Sequence, residues 1–170
     1  MSRITLVTGG AASGKSRYAL ERARRDGDDG ITFIATCRVA DAEMADKVAA
    51  HRRERPKHWR TVEADRDLAA QLQPDDRVAI VDCLTLLVGQ WLCDEADDEA
   101  IYAELRCLCD RPPCDLIIVS NEVGSGIVPD NALSRRYREV LGRANRLVAE
   151  RADDVVLLVS GLPLALKGQA

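Results

Sequence analysis

Residues 3–27 read RITLVTGGAASGKSRYALERARRDG. The opening RITLVTGG, residues 3–10, is an apolar run rich in β-branched residues and closed by glycines, which predicts a buried strand. From Ser13 the pattern turns helical and stops at Asp26 and Gly27. Between strand and helix lies GGAASGKS, Gly9 to Ser16, which fills G-x-x-x-x-G-K-[ST] in the strand–loop–helix setting that motif requires. The chemistry accounts for the pattern. Glycines Gly9, Gly10 and Gly14, with small residues Ala11, Ala12 and Ser13, let backbone N–H groups converge on phosphate oxygens. Lys15 can reach the β- and γ-phosphates as a point charge. Ser16 can ligand Mg²⁺, and the helix starting there turns its positive dipole end toward the anion.

Outward from this segment, strands and helices alternate. GITFIATC (30–37), RVAIVDC (77–83), CDLIIVSNE (114–122) and DDVVLLVSG (153–161), the last strand, read as buried strands, and WRTVEA (59–64) as a short one. Helices are predicted over DAEMADKVAAHRRER (41–55, Asp41 as N-cap, Pro56 beyond the end), DRDLAAQLQ (65–73), LTLLVGQWL (84–92), DEADDEAIYAELRCLCD (94–110) and DNALSRRYREVLGRANRLVAERA (130–152). The strands are continuous apolar runs, as expected of a sheet covered on both faces and largely parallel. The expected fold is α/β, a P-loop NTPase-like (RecA-like) sheet with helices on both faces. Residues 1–170 are expected to form a single P-loop nucleotide-binding catalytic domain, with no internal repeat or linker.

The composition is that of a globular chain with an aliphatic core: 46% hydrophobic, 31% charged and only 4% aromatic. A net charge of −4 argues against a general nucleic-acid binder. No apolar run is long enough to span a membrane. The six cysteines, at 37, 83, 93, 107, 109 and 114, contain no C-x-x-C pair, and no signal peptide precedes the first strand. Reduced cysteines in a cytoplasmic protein are expected.

A triphosphate needs a metal partner, and Asp82, at the end of VAIVD, occupies the position of a Walker-B carboxylate. Glu63, also after a short strand, is a second candidate for metal or nucleotide contact. The N-K-x-D tetrapeptide by which small GTPases read guanine is absent, so any guanine is recognised otherwise.

Both histidines, His51 and His58, and five of the 24 Lys and Arg residues fall within residues 51–60. On a helical wheel Met44, Val48, His51 and Arg55 share one face, so His51 prolongs an inward stripe with Arg52, Arg53 and Lys57 around it. A neutral imidazole among guanidinium groups is a competent nucleophile toward a phosphorus that those groups bind. A solvated basic helix carrying an incidental histidine fits the residues equally. His58, before Trp59, is expected to pack at a turn.

LVTGGAASGKS, FIAT followed by DAEMADKVAAHRRERP and HWRTVE, VDCLT, VSNEVGSGIVPDN, and GRANRLVAERADDVVLLVSGLPLALK together resemble the bifunctional adenosylcobinamide kinase / adenosylcobinamide-phosphate guanylyltransferase family of cobalamin biosynthesis. The resemblance runs end to end. It implies that ATP or GTP phosphorylates adenosylcobinamide. GTP then places GMP on a histidine, which falls on His51, and adenosylcobinamide phosphate takes the GMP to give adenosylcobinamide-GDP. It places nucleotide contacts on Gly9–Ser16, Ala35, Thr36, Arg52, Arg53, Glu54, Glu63 and Asp82, and it implies a homotrimer. Ala12 stands where some members carry Arg, and Ala50 where some carry a second His. Asn121 and Glu122 end a parallel strand; NEVGSGIVPDN has a corrinoid-side or loop-shaping role, or its glycines merely permit turns. The competing readings are a P-loop kinase of another small metabolite, without a covalent histidine, and a non-catalytic nucleotide-binding regulator.

Overall fold

The computed structural model describes residues 2–25, 27–38, 45, 46, 48, 49, 52, 53 and 55–169. Seven strands form one sheet: β1 (Ile4–Gly9), β2 (Ile31–Ala35), β3 (Arg60–Glu63), β4 (Val78–Asp82), β5 (Asp115–Val119), β6 (Asp154–Val159) and β7 (Leu162–Lys167). Their spatial order is β3-β2-β4-β5-β1-β6-β7, and every pairing is parallel except β6 with β7. Four helices whose full length is described pack on it: α1 (Lys15–Ala23), α2 (Leu84–Cys93), α3 (Asp98–Cys109) and α4 (Ala132–Arg151).

Alternation along the strands sorts the core into two layers. Leu6, Ile34, Val81 and Ile118 point toward α2, α3 and α4, where they meet Leu87, Leu105, Leu141 and Val148. Val7, Phe33, Ile80, Ile117 and Val119 point the other way, onto Tyr18, Ala19 and Ala23 of α1 and onto Trp59. Both faces are therefore buried, which is why the inner strands read as unbroken apolar runs. The Asn131 side chain caps α4 by accepting from the Ser134 N–H at 2.7 Å, and Asp97 caps α3 through the Glu99 N–H.

Two elements depart from expectation. The helix predicted over 65–73 is only a 3₁₀ turn, Leu68–Gln71. Asp67 takes a left-handed φ of 51° and blocks an earlier start, while Leu68 and Leu72, both buried, supply the apolar contacts. The last strand is β7, not β6. The chain reverses through Ser160 and Gly161, both at positive φ, and returns antiparallel with all six residues exposed. Of the helix predicted over 41–55, Ala45, Asp46, Val48, Ala49, Arg52 and Arg53 are helical; Asp41 and the rest of the stretch up to 54 lie outside the described residues.

The floor of the sheet, at the starts of β1 and β6, is closed by one carboxylate. Asp154 is fully buried and accepts from Arg3 Nη2 at 3.1 Å, Arg22 Nη2 at 2.5 Å and the Gln169 N–H at 3.0 Å. Burial alone would push its carboxyl upward; the Gln169 N–H and the two guanidinium groups outweigh that and hold it below the usual carboxylate range.

Candidate nucleotide site

The opposite end of the sheet, where β1 to β5 terminate, opens into a cleft of about 1160 Å³. Its walls come from the loop after β1, the ends of β2, β3 and β4, and the segment after β5. Gly9 carries the first bend at φ 149°; a Cβ there would lie 2.4 Å from the Leu158 carbonyl oxygen and 2.8 Å from Ser13 Oγ, so no larger residue fits. Gly14 precedes α1 at φ 92°. The loop leans on the β6–β7 turn, whose Gly161 N–H donates to the Ser13 carbonyl at 3.2 Å.

Lys15 is the first residue of α1 and nine-tenths buried. Its ammonium donates to the Gly10 carbonyl at 2.5 Å and lies 3.5 Å from Ser13 Oγ. Burial lowers its pKa, and the nearby Cys83 and Asp82 work against that shift. Asp82 ends β4 on the face shared with Phe33, Ile80 and Val119, and it lines the cleft with Ser16. Among the described residues no group of three or more His, Cys, Asp or Glu side chains gathers. One carboxylate and one hydroxyl is nevertheless a donor set that suits Mg²⁺, which completes its shell with water and substrate phosphate. The site residues thus fit that ion.

Ala11 to Ser16, Ala35, Thr36, Arg52, Glu63 and Asp82 all line the cleft. Gly9 and Gly10 shape the loop from behind. Arg53, although helical and exposed, is not among the cleft-lining residues. His51 and Glu54 lie outside the described residues. Val48 and Arg55, two members of the expected inward stripe, do face the cleft; Met44 lies outside the described residues. Arg52 pairs with Glu63 across the cleft wall, and the Arg55 guanidinium lies 3.7 Å from the centroid of Phe33. His58 sits at a turn, half-exposed, its Nε2 3.0 Å from the Asp28 carbonyl oxygen.

The Thr36 hydroxyl is engaged from both sides, donating to the Cys83 carbonyl and accepting from the Cys83 N–H, each at 2.8 Å. It therefore fixes the end of β4 beside Asp82. The Cys83 thiol is pushed up to about 11 by burial and stays protonated. Sequence reasoning missed the Arg55–Phe33 stack and the wall formed by Arg38 and Asp65, where Arg38 bridges Asp65 and Asp94. No local motif marks those contacts.

A glycine-rich loop feeding a helix, a buried lysine and a strand-end aspartate on a parallel sheet define a P-loop nucleotide-binding protein. Solved structures agree at the level of fold. A prototypical ATPase from the type III secretion system of pathogenic bacteria superposes with a TM-score of 0.55 at 12% identity, covering 92% of this chain and 51% of that one. The P4 protein from bacteriophage phi6, solved in complex with ADP, gives 0.50 at 17% identity over 95% of this chain and 52% of that one.

The chain belongs to the cobinamide kinase / cobinamide phosphate guanyltransferase family, whose model matches residues 5–166. It is 44% identical to the bifunctional adenosylcobalamin biosynthesis protein CobP of Pseudomonas aeruginosa, over 96% of this chain and 97% of that protein. It is 39% identical to CobU of Escherichia coli, over 96% and 99% respectively.

Proposed function

We propose that this chain carries out both reactions named for its family. In the first, the hydroxyl oxygen of adenosylcobinamide attacks the γ-phosphorus of ATP or GTP. The bond from that phosphorus to the β–γ bridging oxygen breaks, the nucleoside diphosphate leaves, and the hydroxyl proton passes to water. In the second, a ring nitrogen of His51 attacks the α-phosphorus of GTP and pyrophosphate leaves. A phosphate oxygen of adenosylcobinamide phosphate then displaces the histidine, giving adenosylcobinamide-GDP. The observation that carries this reading is one cleft containing Lys15, Asp82 and Arg52, the neighbour of His51, in a chain matched by the family over residues 5–166.

Within that cleft Lys15 and the loop N–H groups hold the triphosphate in both reactions, and Arg52 and Arg55 add positive charge to its wall. Arg52, Glu63 and Ala35 take nucleotide contacts; for Arg53, which does not line the cleft, and Glu54, outside the described residues, a nucleotide contact rests on the family resemblance alone. Thr36 acts through its backbone, since its hydroxyl holds Cys83. Ser16 and Asp82 would hold Mg²⁺, which would neutralise charge developing on the phosphates.

No described helix is long and apolar enough to cross a membrane, and all six cysteines are free thiols; both suit a cytoplasmic enzyme. A homotrimer is proposed too, supported by the uncovered leucines of β7.

The test is transfer of label from GTP carrying a labelled α-phosphate. The wild-type protein should acquire an acid-labile, alkali-stable label and release pyrophosphate. His51→Ala should lose the label and the guanylyl transfer while still phosphorylating cobinamide, and His58→Ala should keep both. Labelling that survives His51→Ala overturns the covalent assignment.

A further inference from the structure

The segment just beyond β5 is held by a polar network that the reading above does not use. Ser120 is fully buried and Thr85 nearly so. The Thr85 hydroxyl accepts from the Asn121 N–H at 2.6 Å, and Asn145 Nδ2 donates to the Asn121 carbonyl at 3.0 Å. Ser120 Oγ donates to Asn145 Oδ1 at 2.6 Å, which fixes the orientation of that amide. Tyr137 donates its hydroxyl proton to the Thr85 carbonyl at 3.2 Å, and burial pushes the phenol up to about 12, so it remains a donor. Three elements, α2, α4 and the end of β5, thus commit buried or part-buried polar groups to fixing both backbone groups of one residue. Buried networks of this kind are costly unless fully satisfied, and when satisfied they rigidify what they hold.

The residue they hold is placed for chemistry. In sheet order β5 lies between β1, which carries the phosphate loop, and β4, which carries Asp82. The Ser120 N–H bonds the Val7 carbonyl at 2.9 Å and the Glu122 N–H bonds the Gly9 carbonyl at 3.0 Å, so Asn121 stands level with the start of the loop. Val119 pairs with Asp82 on the other side. The Ser120 side chain points to α4; by strand alternation Asn121 projects to the opposite face, and it lines the same cleft as Lys15 and Asp82.

We propose that the Asn121 carboxamide contacts the γ-phosphoryl group during its transfer, its N–H donating to a non-bridging oxygen as charge shifts between the attacking and leaving oxygens, and that Thr85 and Asn145 are its positioning residues. This rests on the kinase reading above. A neutral amide neither takes the hydroxyl proton nor supplies one; its contribution is a fixed dipole in a site already arranged for the phosphates. Its effect falls on the γ-phosphorus and not on the α-phosphorus, so it separates the two reactions.

The experiment measures three rates in the full chain with Asn121→Ala: phosphoryl transfer from ATP to cobinamide, slow ATP hydrolysis to water, and labelling by α-labelled GTP. The kinase kcat should fall about 10²–10³-fold, the loss typical of one removed transition-state donor. KM for ATP should change far less, and the melting temperature should hold. Hydrolysis should fall with the kinase rate, and α-labelling should fall much less than either. Thr85→Val should reproduce the kcat loss and Thr85→Ser should restore it. Equal losses in all three rates, or a loss confined to KM, would assign Asn121 to nucleotide binding and overturn the proposal; so would an unchanged kcat. A wild-type chain inactive toward cobinamide but hydrolysing ATP would overturn the acceptor assignment separately, and the hydrolysis rate of Asn121→Ala would then decide the Asn121 assignment.

Discussion

Lys15 is buried against its own loop, and in the proposed function it holds the triphosphate of both reactions, so one substitution should damage both. Lys15→Ala removes a charge-assisted phosphate contact worth about 2–3 kcal/mol, a loss of about 30- to 150-fold in kcat/KM for phosphorylation and for guanylylation alike. Steady-state kinetics of the two half-reactions checks it; near-normal rates in either would remove Lys15 from that reaction. At the other end of the sheet Asp154 makes a different prediction. Its folded-state pKa is depressed, so its stabilisation is fully present above the ordinary carboxylate pKa, near 3.8, and is lost as pH falls through the lower folded value. Asp154→Asn leaves the largely covered Arg22 guanidinium beside a neutral amide and should cost about 2–4 kcal/mol at neutral pH, below the cost of a fully buried unpaired charge. Urea unfolding at pH 7 and near pH 3 should show the difference between wild type and variant shrinking in acid. Residue chemistry of the loop was legible in the sequence because GGAASGKS states its spacing locally. The Asn121 network was not, because Thr85, Ser120, Asn121 and Asn145 meet only after three elements pack.

At the scale of elements, strands β1, β2, β4, β5 and β6 were readable because burial on both faces leaves apolar residues on both sides of each strand, with few polar interruptions. Strand β7 was not. Pro163 removes a backbone donor and argues against a strand, and the alternating leucines of LPLALK are all exposed. An edge position accommodates both. The segment 65–73 misled for the opposite reason: Leu68 and Leu72 have helical spacing, but the left-handed Asp67 and the following Pro74 leave room for one turn only. The longest helix, α4, is legible at both ends and offers a direct test. Asn131→Ala removes the side-chain acceptor for the Ser134 N–H and should cost about 1 kcal/mol, lowering the melting temperature by about 2–4 °C in a chain of this size. Because α4 also carries Asn145, calorimetry should be paired with the kinase rate, which the cap itself does not touch.

For the whole molecule, Val159, Leu162, Leu164 and Leu166 form an apolar strip more than half exposed at the sheet's free edge. Exposed edges of this kind invite pairing with another chain. If the proposed homotrimer uses this edge, Leu164→Asp should shift the protein toward monomer in light scattering or sedimentation without changing its helix content; an unchanged mass would remove this edge from the proposal. The sequence carried the alternation of LPLALK but not its exposure, which follows from β7 being last in the sheet order. The buried carboxylate at the floor has one more consequence. Arg3 and the Gln169 N–H meet on Asp154, so two residues far apart in the chain lie within reach of a few linking residues, on the side of the sheet away from the nucleotide cleft. A circular permutant joining residue 169 to residue 3 through a short glycine-rich linker, and reopened at the exposed Asp110–Arg111 turn, should fold and bind nucleotide with its catalytic end undisturbed.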